Sequence, residues 1–313
     1  MNSRLFYEQY WLIPEDALPE KDPTINERLR LLLKTLNAVD SYGKFVLDAR
    51  YGTGYFGIKL REKGFTVVGM DISFKAIKRA SAIIATGTLA QREYQTLCGL
   101  TISTYSIPYL VDLKPFLQLE RTAFSKQCLR FLFCGQSVYR KGVDTLMSAF
   151  VRLATAHPQS ELFIIGDGQE KANLLRMVPD ELKSQIILAG SVPFEMRAAS
   201  FEQADVLIHL ARHDGWRVVI QEAMAAGLPV ISTKQMGAAV DLIEDGSNGF
   251  LIEANDADTL YKRMLWFVEH PREIFSFGSK ARSDVSRYTP EWGAERFAQI
   301  VEDVLRGRRL QKK

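Results

Sequence analysis

The chain has 313 residues, of which 47% are hydrophobic and 25% charged, and this globular composition excludes a largely disordered protein. The length accommodates two domains of ordinary size, each with its own core. The net charge is only +3, and because Lys and Arg are interleaved with Asp and Glu, we expect no nucleic-acid partner.

Strand-like apolar runs alternate with amphipathic helical stretches along the chain, a pattern typical of parallel α/β architecture. In the first part of the chain we predict helices at 1–40, 57–63 and 73–82, and strands at 44–48, 66–71 and 83–86. Residues 97–127 are less regular and include an extended run at 107–111. We place a domain linker at 112–127, so that the first, smaller Rossmann-like domain covers 1–111.

After the linker the alternation restarts with the regularity of a doubly wound sheet. The predicted strands are 130–134, 161–165, 185–188, 205–210 and 229–232, and the helices between them are 142–156, 169–177, 194–203 and 217–226. Helices at 256–269, 271–285 and 290–306 close the chain. The second Rossmann-like domain is therefore expected at 128–285, followed by a C-terminal helix and basic tail at 286–313.

The loop after strand 130–134 suits an anion. Gly135 and Gly142 bracket this loop, and Arg140 and Lys141 stand just before a helix. Ligands of an open parallel sheet bind beyond the carboxyl ends of its strands, and a helix start offers free N–H groups and positive potential. A tight turn with a solvated lysine explains the same residues equally well.

Two weaker signals follow the next strands along the chain. Gly166 and Gly168 flank Asp167, and because they have no side chains, a ligand could pass close to the backbone there. Val192, after the strand at 185–188, would flank a nucleotide base.

The strongest element is a pair of carboxylates, Asp214 and Glu222, around the start of helix 217–226. Gly215 allows close approach to the helix N-terminus, where a diphosphate would be held without a metal. Glu222, facing the cleft, would accept two hydrogen bonds from a ribose diol, and Asp214 would reach sugar hydroxyls beyond the phosphates. The alternative is that Asp214 caps the helix and Glu222 lies on the surface.

The block from Asp214 to Val230 resembles the signature of the retaining family 4 glycosyltransferases, in which an acidic residue and seven others precede Glu-Ala-(Met/Leu)-Ala-x-Gly-x-Pro-Val. Residues 237–243 and 245–251 match further family blocks in order and spacing, and the likeness covers roughly 83–285. The resemblance implies the B-type fold of two Rossmann-like halves. It also implies transfer of a hexose from a nucleoside-diphosphate sugar, with retention and without a required metal or cofactor.

By this resemblance Lys141 binds the diphosphate and Glu222 the ribose, and both act with Asp214 in catalysis. Gln136 departs from the family, because an Arg often helps to hold the phosphates there. Arg217 replaces a second glycine, and either crowds the phosphate or substitutes for the missing cation. The predicted donor site comprises Gly135, Gln136, Arg140, Gly166, Gly168, Val192, Gly215, Trp216, Arg217, Val218 and Glu222.

In the first domain, a strand, a glycine loop, a helix and a second strand with an acidic end resemble the S-adenosylmethionine-binding start of class I methyltransferases. The matching positions are Asp48, Gly52, Gly54 and Asp71. Arg50 replaces the first glycine of the loop, where the backbone must turn tightly, and the resemblance ends near residue 82. We therefore expect a vestigial site that does not bind S-adenosylmethionine, joined to a transferase with a shortened acceptor domain.

Several polar residues have plainer explanations than chemistry. Asp256 and Asp258 form the DxD string of a different glycosyltransferase fold, but they open a helix, and capping explains them better. His209 is expected in the core at a strand end, and His213 in a solvated loop. We predict no metal site.

The cysteines form no CxxC pair and no metal-ligand spacing, so we expect free thiols in a reducing cytosol at Cys98, Cys128 and Cys134. No apolar run reaches the ~18 residues of a spanning helix, which predicts a cytoplasmic protein. The basic tail at 306–313 is interpreted as a solvated helix end. The alternative is peripheral contact with the anionic inner face of a membrane.

The sequence therefore predicts a glycosyltransferase in polysaccharide or other glycoconjugate synthesis, with a nucleotide sugar as donor and a sugar, lipid-linked or protein acceptor. One alternative is a non-catalytic module that binds a nucleotide sugar or a partner, because the acceptor domain is shortened. The other is a bifunctional methyltransferase–glycosyltransferase.

Overall fold

The computed structural model describes residues 45–49, 66–70, 82–98, 103–121 and 128–311. The chain divides into two compact units, one of 1–84 with 94–105 and a larger one of 85–93 with 106–313. The larger unit thus includes residues that the sequence analysis placed before and within the linker. The linker at 112–127 stays a prediction, because residues 122–127 lie outside the described ones.

The smaller unit contains two parallel strands, β1 (Phe45–Ala49) and β2 (Thr66–Met70), paired in register along their full length. They confirm the strands predicted at 44–48 and 66–71. The predicted helices at 1–40 and 57–63, and nearly all of the one at 73–82, lie outside the described residues. The Rossmann-like character of this unit therefore stays a prediction.

Strand β3 (Ala82–Ala85) pairs with β4 (Ser103–Ser106), and helix α1 (Gly87–Cys98) lies between them in the chain. The third predicted strand is thereby confirmed. The extended run expected at 107–111 forms no strand. Ile107 donates its N–H to the carbonyl of Ala85 over 3.0 Å, but Pro108 has no N–H with which to continue a ladder.

The larger unit alternates strands with helices. Its strands are β5 (Leu129–Cys134), β6 (Ser160–Ile165), β7 (Ile186–Gly190), β8 (Val206–His209), β9 (Val230–Thr233) and β10 (Gly249–Ile252). Its helices after α1 are α2 (Lys114–Leu117), α3 (Val143–Ala156), α4 (Lys171–Arg176), α5 (Arg197–Glu202), α6 (Val218–Ala225), α7 (Gly237–Leu242), α8 (Ala257–Glu269), α9 (Glu273–Val285) and α10 (Pro290–Gln311). None of the described helices is both long and apolar enough to cross a membrane.

The predicted elements of the larger unit are confirmed to within a few residues, and the structure adds α2, α7 and β10, which were not predicted. The helix expected at 194–203 is a 3₁₀ turn, Phe194–Met196, followed by the shorter α5. The last helix continues to Gln311 rather than ending at 306.

The six strands are parallel and lie in the order β10-β9-β8-β5-β6-β7. From β5 the chain first builds outward through β6 to β7, then returns to the other side of β5 and builds outward through β8, β9 and β10. The strand order therefore reverses between β5 and β8. A ligand crevice is expected beyond the carboxyl ends of two such strands. The doubly wound sheet predicted from the sequence is confirmed.

Side chains of β5 alternate between two cores, one on each face of the sheet. Phe131 and Phe133 pack with Phe150 of α3 on one side, and Leu132 and Cys134 pack with the residues of α6 on the other. Burial on both faces explains why these strands are continuous apolar runs in the sequence. Full burial of each large side chain contributes roughly 1.5–3 kcal/mol. The loop after β5 thus starts from a strand that is packed on both faces.

Candidate functional site

The loop after β5 brings Lys141 to the switch point. Tyr139–Lys141 form a 3₁₀ turn, which ends at Gly142 with φ of +66°. A Cβ atom at Gly142 would overlap the carbonyl oxygen of Leu210, so only glycine lets this loop pack against the loop that follows β8. The side chain of Lys141 is 2% exposed, and its ammonium group contacts a carboxylate oxygen of Asp214. The solvated lysine considered for this turn is therefore wrong.

The carboxylate of Asp214 binds three cations through one oxygen. Besides Lys141, Arg140 approaches Oδ2 with Nη1 at 3.0 Å and Arg217 approaches it with Nε at 2.6 Å. The side chain is only 9% exposed. The alternative considered for Asp214, a helix cap, is wrong, because α6 begins at Val218 after Arg217 and has no side-chain cap. Asp214 instead holds together the cations that the sequence analysis assigned to the phosphates.

Burial and charge act in opposite directions on this cluster. Burial alone would raise the pKa of Asp214, but its hydrogen bonds with Lys141 and Arg217, and their charges, outweigh it and lower that pKa. Burial lowers the pKa of Lys141 to about 8, although the hydrogen bond with Asp214 opposes this effect. Lys141 is therefore charged at neutral pH and loses that charge at mildly alkaline pH.

Glu222 is buried within α6 and is 1% exposed, so the surface position considered for it is wrong. Its Oε1 accepts a hydrogen bond from Nη1 of Arg197 at 2.8 Å. Its Oε2 is also buried and accepts no hydrogen bond from the residues that the structure describes. Burial raises the pKa of Glu222, and the nearby Arg197 guanidinium offsets this only in part. An unpartnered, buried carboxylate oxygen is an acceptor for a ligand hydroxyl.

The N-terminus of α6 is open at Gly215. A Cβ atom there would meet nothing within 4 Å, whereas one at Gly237, across from it, would overlap the carbonyl oxygen of Gly215. The first amides of a helix have no partner within the helix, and they attract negative charge. Arg140 and Arg217 flank this opening through their bonds to Asp214. The arrangement thus places positive charge and helix N–H donors beside the open position at Gly215.

Gly166 and Gly168 serve the packing of two loops. A Cβ atom at Gly166 would overlap the carbonyl oxygen of Gly135, and one at Gly168 would overlap that of Ser137. These close approaches account for both glycines without a ligand. A role for them in holding the donor stays a prediction.

The remaining predicted donor-site residues differ in exposure. Gln136 is exposed, and Val192 and Val218 are half-buried. Trp216 is buried, and its Nε1 donates to Oε1 of Gln221 at 3.3 Å. The indole of Trp216 is thus fixed within the fold. Of the positions assigned to S-adenosylmethionine, Asp48 lies in β1, and Gly52, Gly54 and Asp71 lie outside the described residues.

Sequence reasoning missed Arg197, the partner of Glu222. In the chain it is one charged residue on a short amphipathic stretch, a pattern typical of a solvated side chain, and no motif marks it. His209 is buried against Phe133, with ring centroids 5.6 Å apart, and burial lowers its pKa to about 3. Its position in the core is confirmed, and His213 is exposed as expected.

Asp256 caps α8, because its Oδ1 accepts the N–H of Thr259 at 2.8 Å. The capping interpretation of the DxD string is confirmed. Across the described ranges, no group of three or more His, Cys, Asp and Glu side chains is placed to hold a metal ion. Cys128 and Cys134 are free thiols, as predicted.

Residues 118–292, more than half of the chain, match the model of the family described as glycosyl transferases group 1. The match includes the whole six-stranded sheet and both loops at the switch point. It begins after the methyltransferase-like segment at 46–73, so that resemblance gains no support from it.

Among curated proteins, the chain is similar to two bacterial mannosyltransferases. It is 26% identical over 230 residues to the GDP-mannose-dependent monoacylated alpha-(1-6)-phosphatidylinositol monomannoside mannosyltransferase of Corynebacterium glutamicum, covering 68% of this chain and 59% of the relative. It is 28% identical over 226 residues to the phosphatidyl-myo-inositol mannosyltransferase of Mycolicibacterium smegmatis, covering 71% and 57%. The chain thus spans less than two-thirds of the length of these relatives.

Solved structures share the fold. Sucrose-phosphate synthase from Thermosynechococcus elongatus matches with a TM-score of 0.70 at 20% identity, covering 95% of this chain and 81% of that structure. HepE from Anabaena, in complex with UDP, matches with a TM-score of 0.69 at 18% identity, covering 90% and 84%. At these identities the likeness establishes the architecture alone.

Proposed function

The chain belongs to the glycosyl transferases group 1 family, and we propose that it transfers a hexose from a nucleoside-diphosphate sugar to an acceptor with retention of configuration. The proposal rests on one observation. Lys141, Arg140 and Arg217 converge on Asp214 at the switch point of the sheet, beside the open N-terminus of α6. Three cations and a set of helix N–H groups around one open space suit a diphosphate.

In this proposal the donor lies across the carboxyl ends of β5 and β8. Lys141 and the first turn of α6 hold the diphosphate, and Arg140 and Arg217 add charge from either side. Oε2 of Glu222 accepts a hydrogen bond from the ribose, a role supported by its burial and its missing partner. Asp214 then exchanges part of its contact with the cations for hydroxyls of the hexose.

The same groups would assist the reaction by stabilising the leaving diphosphate. As the bond from the anomeric carbon to the phosphate oxygen breaks, its electron pair passes to the diphosphate. The additional negative charge meets Lys141 and the α6 N–H groups, which are oriented in advance. The acceptor hydroxyl bonds to the anomeric carbon on the same face, and its proton goes to the departing phosphate oxygen. We assign no carboxylate nucleophile. The cations neutralise the charge of the leaving diphosphate, as a bound metal ion does in other enzymes.

The relatives narrow the substrates that we propose. The name of the Corynebacterium relative specifies GDP-mannose as donor. Both names specify phosphatidylinositol or a derivative of it as acceptor, while one structural neighbour was solved with UDP. We therefore propose GDP-mannose or a UDP-hexose as donor and a sugar or glycolipid as acceptor, in glycoconjugate synthesis. A lipid-linked acceptor would require the protein to work at a membrane surface from the cytoplasm.

Calorimetric titration with GDP, UDP and S-adenosylmethionine, followed by donor turnover, tests this function. We expect one nucleoside diphosphate to bind, the matching nucleotide sugar to turn over, and NMR to show a product with the donor's anomeric configuration. An inverted product would refute retention, and failure of every nucleoside diphosphate to bind would refute the donor site. Binding without turnover, even with added acceptors, would indicate a binding module, and saturable binding of S-adenosylmethionine a bifunctional enzyme.

A further inference from the structure

A cavity of ≈ 520 Å³ lies in the larger unit, and neither Lys141 nor Glu222 lines it. Its walls come from the first turns of α1, the segment 106–108, the loop before α6, helix α7 and the start of α10. Trp216, two residues after Asp214, is the one residue that this cavity shares with the predicted donor site. The proposed donor chemistry leaves the rest of the cavity unexplained.

The lining of this cavity is positively charged. Arg92, Arg287 and Arg296 line it together with one carboxylate, that of Asp241. An oxygen of this carboxylate already accepts the N–H of Thr88 at 2.8 Å. Within the part of the chain that the structure describes, neither Arg287 nor Arg296 forms an ion pair. Guanidinium groups with no carboxylate partner, gathered in a concave site, suit a phosphate.

The same cavity presents aromatic rings. Tyr288 and Trp292 pack edge to face with centroids 5.1 Å apart, and both are half-buried. Trp216 is fixed by its bond to Gln221, whose Nε2 in turn donates to the carbonyl of Tyr109 at 3.0 Å. Aromatic side chains that combine an apolar face with a polar group suit a ligand with both kinds of surface, such as a sugar or cyclitol ring. Aromatic side chains and guanidinium groups together suit a sugar or cyclitol ring that carries a phosphate.

We propose that this cavity binds the phosphate-bearing ring of the acceptor, whether in a soluble sugar phosphate or in a phosphoinositide headgroup. This inference rests on the proposed function, because it supplies the acceptor for the hexose held beside Asp214. Trp216 connects the two sites directly through the backbone of Gly215. The arginines would bind the phosphate, and the aromatic side chains would pack against the sugar or cyclitol ring of the acceptor. One hydroxyl of that ring would then be directed to the donor.

The test compares the double variant Arg287→Gln/Arg296→Gln with the control Arg176→Gln/Arg306→Gln. The control removes the same charge from exposed positions outside the cavity. Glucose 6-phosphate and glucose are titrated calorimetrically with UDP or GDP present at saturation, so that the donor phosphate site is occupied. Vesicles of phosphatidylcholine with and without phosphatidylinositol are used for co-sedimentation, which separates a lipid source of the phosphate from a soluble one.

We expect the wild type and the control to bind glucose 6-phosphate or the phosphatidylinositol vesicles at least about tenfold more tightly than glucose or plain vesicles. The cavity variant should lose this preference while its affinity for the nucleoside diphosphate changes less than about twofold. Equal binding by the cavity variant and the control, or no binding of either probe by the wild type, overturns the proposal. If neither UDP nor GDP binds, the proposed function fails, and the titrations without nucleotide still test the cavity by itself.

Discussion

Arg197 donates a hydrogen bond to Oε1 of Glu222 across 2.8 Å, although the two residues lie 25 positions apart in the chain. The ion pair orients the carboxylate so that its buried Oε2 has no partner among the described residues. Arg197 thereby acts as a positioning residue, since its guanidinium favours the charged carboxylate and turns it toward the place where we propose the ribose. A ligand hydroxyl would complete the hydrogen bonding of this oxygen.

Glu222→Ala should therefore lower the affinity for the nucleoside diphosphate by at least about tenfold, because a charged acceptor for the ribose is lost. Calorimetry on the purified variant measures this change. Glu253→Ala, at an exposed carboxylate paired with Lys234, is the matched control and should bind as the wild type does. Unchanged affinity in Glu222→Ala would remove Glu222 from the site.

Donor binding should weaken as the pH rises through about 8, because the pKa of Lys141 in the free protein lies there. Only the charged lysine holds the diphosphate, so the affinity at pH 9 should be about tenfold below that at pH 7. Lys141→Met should bind weakly at both values and show a flat profile. A wild-type profile that stays flat between pH 7 and 9 would contradict this role for Lys141.

A loss of donor affinity between pH 7 and 9 would not be explained by unfolding caused by the titration of Lys141. The folded-state pKa of Lys141 lies below its value in the unfolded chain, so between about pH 8 and 10.5 the unfolded state binds more protons. The contribution of Lys141 to stability therefore rises with pH in this window. Thermal melts at each pH should show that the titration of Lys141 does not destabilise the protein over the range in which binding weakens.

Arg217→Gly, which restores the residue usual in the family, should weaken binding of the nucleoside diphosphate by about tenfold. We expect this because Gln136 removes the cation from the neighbouring loop, and Arg217, held at 2.6 Å from Asp214, takes its place beside the phosphates. If Arg217 instead obstructs the site, the same substitution should strengthen binding. One titration at matched salt decides between the two by the sign of the change.

Asp214→Asn should strengthen binding of the nucleoside diphosphate by up to about tenfold, because a negative charge leaves a cluster that must attract phosphates. The same variant should lose affinity for the complete nucleotide sugar relative to the diphosphate, since Asp214 is proposed to hold the hexose hydroxyls. Paired titrations with the two ligands measure the difference. Asp258→Asn, at a carboxylate that is 80% exposed, is the control. Weaker diphosphate binding by Asp214→Asn would contradict this and mean that orienting the cations matters more for affinity than the negative charge of Asp214.

Gly215→Ala should weaken diphosphate binding but change the free energy of unfolding by less than about 0.5 kcal/mol, since a Cβ there meets open space. Gly168→Ala should do the reverse and destabilise the protein by at least about 2 kcal/mol, because its Cβ would overlap the backbone of Ser137. Denaturant unfolding and calorimetry on both variants separate the two effects. Equal donor affinity in Gly215→Ala and the wild type would place the phosphates elsewhere.

The sequence by itself determined the architecture of the larger unit and the family. Its apolar runs are continuous because the parallel strands are buried on both faces, so most of the strands and helices could be placed to within a few residues. The sequence also placed Asp214 in the loop before a helix and Glu222, eight residues later, inside that helix. Local patterns of this kind can be recognised in the sequence because they depend on residues that are close together in the chain.

Only the tertiary structure decided what these residues contact. Lys141 and Asp214 are 73 positions apart and meet because the strand order reverses between β5 and β8, which brings the loops after these two strands together. The cavity walls come from separate segments of the chain, and the partner of Glu222 lies on another helix. Whether a charged group is a helix cap, a surface residue or a buried partner depends on which distant groups exclude water from it. Long-range packing decides this, and no local pattern encodes it.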